Sequence, residues 1–163
     1  MKKILVSVII ATMVGASLVA CGENKNTGNG SKVEQQASNV SVKDVVSSLE
    51  EYIPMPMEVD EARAQEMYYI NSDNVEEYKI VECGRTPGVG FAMVVKAKEG
   101  KVDAVKESME TVLADKVNQA FYPEEKEIAE NANVEVNGNI VSLLIFDNEV
   151  REDAMKKFEE AIK

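Results

Sequence analysis

The chain has 163 residues, with 29 acidic side chains against 18 basic ones, a net charge of −11 and no histidine. Such a charge repels phosphate backbones, so nucleic acid is excluded as an expected partner. Without imidazole the usual general base near neutral pH and the commonest zinc ligand are both missing.

Met1-Lys2-Lys3 opens the chain, an apolar run covers residues 4–14, and Leu18-Val19-Ala20-Cys21 follows. A basic start, an apolar stretch and small residues before a cut read as a signal peptide over residues 1–20. The Leu-Val-Ala-Cys quartet resembles the bacterial lipobox, which implies that Cys21 is the lipid attachment site and the first mature residue. An uncleaved anchor and a conventional secretory signal cut before Cys21 are the alternatives. Two or three acyl chains hold a protein stably where one binds reversibly. The expected location is the outer, extracytoplasmic face of a cell membrane.

Losing Lys2 and Lys3 leaves 16 basic against 29 acidic side chains, or −13. The lipid would therefore bind the membrane without electrostatic help, and the acidity serves solubility. With Cys21 a thioether, Cys83 has no partner for an intrachain disulfide. It lies in the strand-like run Tyr78-Lys79-Ile80-Val81-Glu82-Cys83 and is expected to be buried and inert.

Residues 21–41 form a lipidated cysteine followed by a polar stretch with too few apolar groups to offset ordering. It reads as a flexible tether with a root-mean-square span of about 25 Å. One domain is expected over residues 42–163, a size of about 120 residues that buries a core without staples. Ser41 and Asp44 suggest a capped helix carrying Val42, Val45, Val46, Leu49, Tyr52 and Ile53, ending before Pro54. Met55-Pro56-Met57-Glu58-Val59 reads as extended, and Asp60 caps a short helix through Met67. Tyr68 and Tyr69 are expected on the rim of the core.

Residues 78–84 and 91–97 read as an antiparallel hairpin joined by Arg85, Thr86, Pro87, Gly88, Val89 and Gly90. Val102, Val105, Met109, Val112, Leu113, Val117, Ala120 and Phe121 form the stripe of a long helix stopped by Pro123. A short acidic helix over residues 124–130 leads to a second hairpin with Asn137-Gly138 as its turn. An amphipathic helix from Val150 to Ile162 closes the chain. The fold class is therefore α+β: a four-stranded, mainly antiparallel sheet from two ββα units, preceded by two short helices. The nearly all-apolar residues 139–146 suggest a central strand, with the amino-terminal helices on one face and the two long helices on the other. A fifty-residue shift aligns Asp103-Ala104-Val105-Lys106 with Asp153-Ala154-Met155-Lys156, which internal duplication and chance explain equally well.

Candidate chemistry is sparse. No Ser-x-x-Lys or Gly-x-Ser-x-Gly supplies a nucleophile motif. Gly84, Gly88 and Gly90 lack the Lys-Ser/Thr of a P-loop and precede a strand. Acidic groups at Glu58, Asp60 and Glu61, at Asp73, Glu76 and Glu77, and at Glu124, Glu125 and Glu127 lack the alternating pattern of a calcium loop. No metal, cofactor or catalytic residue is assigned. The expected role is a non-catalytic binding or accessory module, the alternative being a carboxylate-dependent envelope enzyme of the hydrolase class. The expected contact is the 85–90 connection, since loops on rigid hairpins commonly carry recognition. An envelope protein, a peptide or a cationic ligand suits the acidic field.

Pro56-Met57-Glu58, residues 71–78, Lys96-Ala97-Lys98, Gln119-Ala120-Phe121-Tyr122-Pro123 and Asn137-Gly138-Asn139-Ile140-Val141 together resemble a domain-of-unknown-function family of small lipoproteins from Clostridia and related Firmicutes. The resemblance covers residues 42–163 and implies a lipobox, a polar tether, one α+β domain and a Gram-positive cell surface. Family members vary where this chain has Phe121 and Tyr122. No activity, substrate or site residue follows from it.

Overall fold

The computed structural model describes residues 40–163. The signal peptide, the lipid attachment at Cys21 and all but the end of the tether lie outside the described residues.

Helix α1 (Val42–Leu49) starts where the sequence places it, with Ser41 Oγ accepting from the Asp44 N–H at 3.3 Å. The Val42 N–H donates to Glu77 Oε2 at 3.2 Å, which fastens the first turn to the sheet. A 3₁₀ turn (Glu50–Tyr52) follows. Strand β1 (Pro56–Glu58) is short and exposed, and helix α2 (Glu61–Met67) is capped by Asp60 Oδ1 on the Arg63 N–H at 3.0 Å. Strands β2 (Val75–Cys83) and β3 (Phe91–Ala97) form the first hairpin. Helices α3 (Val102–Gln119) and α4 (Pro123–Glu130), strands β4 (Val134–Asn137) and β5 (Ile140–Ile145), and helix α5 (Arg151–Ala161) complete the chain.

The sheet has five antiparallel strands in the order β1-β2-β3-β5-β4. The expected four are therefore short by one. Pro56–Glu58 pairs with Val81–Cys83 as an edge strand, a position that tolerates a proline because one side of its backbone needs no donor. The apolar β5 is interior and buried throughout, as its composition demands.

Alternation along β3 and β5 sorts the core into two layers. Val81, Ala92, Val94, Ile140 and Leu144 pack on α1 and α5 through Val45, Val46, Leu49, Ala154 and Phe158. Ile80, Met93, Val95, Val141, Leu143 and Ile145 pack on α2, α3 and α4 through Ala64, Val105, Met109, Val112 and Ile128. The expected grouping of helices is thus corrected: α5 shares a face with α1, and α2 shares one with α3. Phe146, directly after β5, continues the side of Ile140 and Leu144 into the α1 layer. This placement also bears on duplication. A two-fold axis along the sheet normal would leave both long helices on one face, and one along the strands would make β3 and β5 parallel. The observed antiparallel pair with helices on opposite faces satisfies neither.

Two further expectations shift. Asn137 pairs with Ile140, so the second hairpin turns through Gly138 and Asn139, with Gly138 at φ 63°. Glycine at the first central position is the type II′ arrangement, one residue beyond the expected Asn137-Gly138 turn. Phe121 leaves the stripe of α3, because that helix ends at Gln119, and is 84% exposed.

Candidate functional site

The carboxyl end of β2 is where most of the distinctive geometry collects. The Cys83 N–H donates to the Gly90 carbonyl at 2.7 Å and closes the 85–90 loop. The Gly84 N–H donates to the Met55 carbonyl at 2.9 Å. A Cβ on Gly84 would stand 2.8 Å from that oxygen and from the Met57 side chain, so the close crossing requires glycine. Arg85, Thr86 and Pro87 are exposed, with a cis bond before Pro87. Gly88 and Val89 are half-buried and Gly90 is buried, the Gly88 N–H donating to Glu125 Oε1 of α4 at 3.0 Å. The expected contact loop is therefore two structures in sequence: an exposed tip and a wall.

That wall separates two concavities. One, of about 280 Å³, is bounded by Glu82, Cys83, Phe91, Lys116, Gln119 and Glu125. The other, of about 440 Å³, is bounded by Tyr52, Pro54, Arg85, Tyr122 and Ile128, with Glu124, Glu125, Asp147 and Glu149 around it. Two of those four carboxylates are engaged within the protein. Glu125 holds the loop, and Asp147 Oδ1 accepts from the Glu149 N–H at 3.0 Å.

Beside the first concavity lies a charged network the sequence reading did not assemble. Arg63 Nη2 donates to Glu82 Oε1 at 2.7 Å, and the Tyr68 hydroxyl donates to Glu82 Oε2 at 2.5 Å. Lys116 Nζ donates to Tyr68 Oη at 3.3 Å, lies 3.8 Å from Glu82 Oε2, and sits over the Phe91 ring at 4.4 Å from its centroid. Burial works against the Glu82 charge, but hydrogen bonds from Tyr68 and Arg63 and the Lys116 cation hold the carboxyl below its ordinary range. Burial, then donation to Glu82, lifts the Tyr68 phenol well above its ordinary range. Burial lowers the Lys116 ammonium, with Glu82 opposing and Arg63 assisting.

A signal for this network was present. Lys116 follows Met109 and Val112 by seven and four residues, which puts a cation on the buried stripe, and Glu82 interrupts an otherwise apolar strand end. Tyr68 and Tyr69, read together as rim, separate: Tyr68 is 3% exposed, while Tyr69, at φ 54°, faces out and donates to Asp115 at 2.7 Å. Cys83 is half-buried, not fully buried, because it stands at the edge of the first concavity, where its thiol points to the Arg85 carbonyl at 3.5 Å.

The first two acidic groups supply structural contacts, while Glu124 and Glu125 of the third border the larger concavity. Asp60 caps α2, Glu58 faces Lys79 at 3.5 Å, Glu76 pairs with Lys96 at 2.8 Å and Glu77 holds α1. Among the described residues no three His, Cys, Asp or Glu side chains are grouped to hold a metal ion. Nor is any described helix long and apolar enough to cross a membrane.

Residues 53–146 match a protein family described as a domain of unknown function, DUF4358. No curated protein and no solved structure matches the chain.

Proposed function

The chain belongs to the DUF4358 family, a domain of unknown function, and we propose its role from its own residues: a lipoprotein anchored through Cys21 on the outer face of a Gram-positive cell membrane, whose domain is a non-catalytic binding or accessory module. The observation that carries the binding half is the 85–90 loop, an exposed tip braced by a wall with a concavity on each side. Rigid support beneath an exposed turn is what a recognition loop needs, since little order has to be gained on contact. The larger concavity pairs two tyrosines with four carboxylates and suits a cationic ligand or a basic stretch of peptide. The anchor rests on Leu18-Val19-Ala20-Cys21.

Intact mass spectrometry of membrane-extracted protein tests the anchor. A mature chain starting at a diacylglyceryl Cys21 is expected, and a Cys21→Ala chain that is processed yet still fractionates with membranes overturns it. Crosslinking in the native envelope tests the binding role, with residues 85–87 replaced as the control. A partner lost on replacement supports the reading.

One observation favours a second reading, a carboxylate-dependent hydrolase: Glu124, Glu125, Asp147 and Glu149 border one space. With Glu125 and Asp147 already accepting backbone hydrogen bonds, two are left for proton transfer. Turnover abolished by Glu124→Gln or Glu149→Gln would establish this reading over the first.

A further inference from the structure

We propose that the concavity beside Lys116 is a binding site for a small ligand bearing a single carboxylate. Its volume of about 280 Å³ accommodates a group of amino-acid size. Phe91 and Ile145 give it an apolar base, and Lys116 and Gln119 supply donors from consecutive turns of α3. An ammonium has three donors. Tyr68 takes one from Lys116, and Glu82 at 3.8 Å lies beyond hydrogen-bond length, so donor capacity remains on a lysine that borders the cavity.

Charge narrows the ligand. Glu82 is the one carboxylate among the described ion pairs that is shared by two cations, Arg63 and Lys116, so neither cation has a carboxylate to itself. A monoanion would give Lys116 a partner of its own, while the second wall carboxylate, Glu125, is turned to the Gly88 N–H. Glu82 and Glu125 on the walls repel a dianion such as phosphate about twice as strongly as a monoanion, and an amine would face Lys116. A carboxylate here would receive charge-assisted hydrogen bonds with its apolar part against Phe91. Neither the lipid at Cys21 nor the exposed tip at Arg85 takes part, so this site and the anchored binding module fail in separate experiments.

The test is tracer acetylation of the full-length chain with limiting acetic anhydride, read residue by residue by mass spectrometry. N-acetylglycine and its uncharged twin N-acetylglycinamide are the probes. With the acid at about 10 mM, labelling of Lys116 is expected to fall about tenfold relative to exposed Lys43 and Lys101, as for a Kd near 1 mM, while the amide leaves it unchanged. Equal protection by acid and amide, equal slowing of all lysines, or stronger protection by inorganic phosphate overturns the assignment. Thermal unfolding supplies a second readout: the acid raises the Tm of wild type and of Lys116→Arg but not of Lys116→Met, and an undiminished rise in Lys116→Met overturns the site.

Discussion

The two faces of the sheet are built by different means. Under α1 and α5 the layer is dry at its centre, with Ser142 its one buried polar residue, and its ion pairs stand at the edge, where the largely buried Lys79 meets Glu50 at 2.8 Å and the more exposed Lys157 meets Glu51. Under α2 and α3 the layer ends in the Arg63–Glu82–Tyr68–Lys116 network, sunk against Phe91. Apolar packing holds the helices on the first face, with the Val42–Glu77 and Lys79–Glu50 bonds added at its edge. Charges set into the second face bring a desolvation cost that packing does not require, and such groups gather where a surface has chemistry to do.

Substitutions on the two faces should separate these roles. Phe158→Ala opens a void in the dry layer at a fully buried position and should cost about 3–5 kcal/mol in urea unfolding, with no change in Lys116 labelling. Glu82→Gln leaves Arg63 and Lys116 facing a neutral group and should cost about 2–3 kcal/mol. The sign of its pH dependence follows from the lowered Glu82 pKa. The stabilisation is complete above the ordinary value of 4.5 and is lost as pH falls through the folded value, so wild type and Glu82→Gln should converge in acid. Tyr68→Phe removes one donor and should cost about 1 kcal/mol, while raising the pKa of Glu82 and with it the pH at which that convergence begins. Lys157→Ala, at an exposed rim pair, should leave the Tm unchanged within error. A dry face that tolerates Phe158→Ala, or a network indifferent to Glu82→Gln, would remove the contrast.

Much of the fold is legible in the sequence because it is local. Ser41 and Asp60 announce their helices by side-chain chemistry within three residues, and β5 declares itself interior by having no polar face to expose. Which side a helix packs on is a different kind of fact. Nothing within residues 151–161 distinguishes the α1 face from the α3 face. The edge strand at Pro56–Glu58 was readable as extended but not as paired, since its partners lie 23 to 27 residues away in β2. The candidate site was half legible. Arg85, Thr86 and Pro87 are exposed as a hairpin connection should be, whereas Arg63, Tyr68, Glu82 and Lys116 come from α2 and its carboxyl end, β2 and α3, and meet only in three dimensions.

The bond from Val42 to Glu77 fixes where the described chain enters the domain. It fixes the start of α1 near the beginning of β2, and α1 then runs lengthwise until Ile53 abuts Gly90 at the strand's far end. Glu77 and Cys83 are six strand steps apart, about 20 Å. Anything that holds the chain by residue 40 therefore holds one pole of the domain, and both concavities open at the other. The sheet acts as a spar, and its length keeps the start of α1 and the two concavities about 20 Å apart.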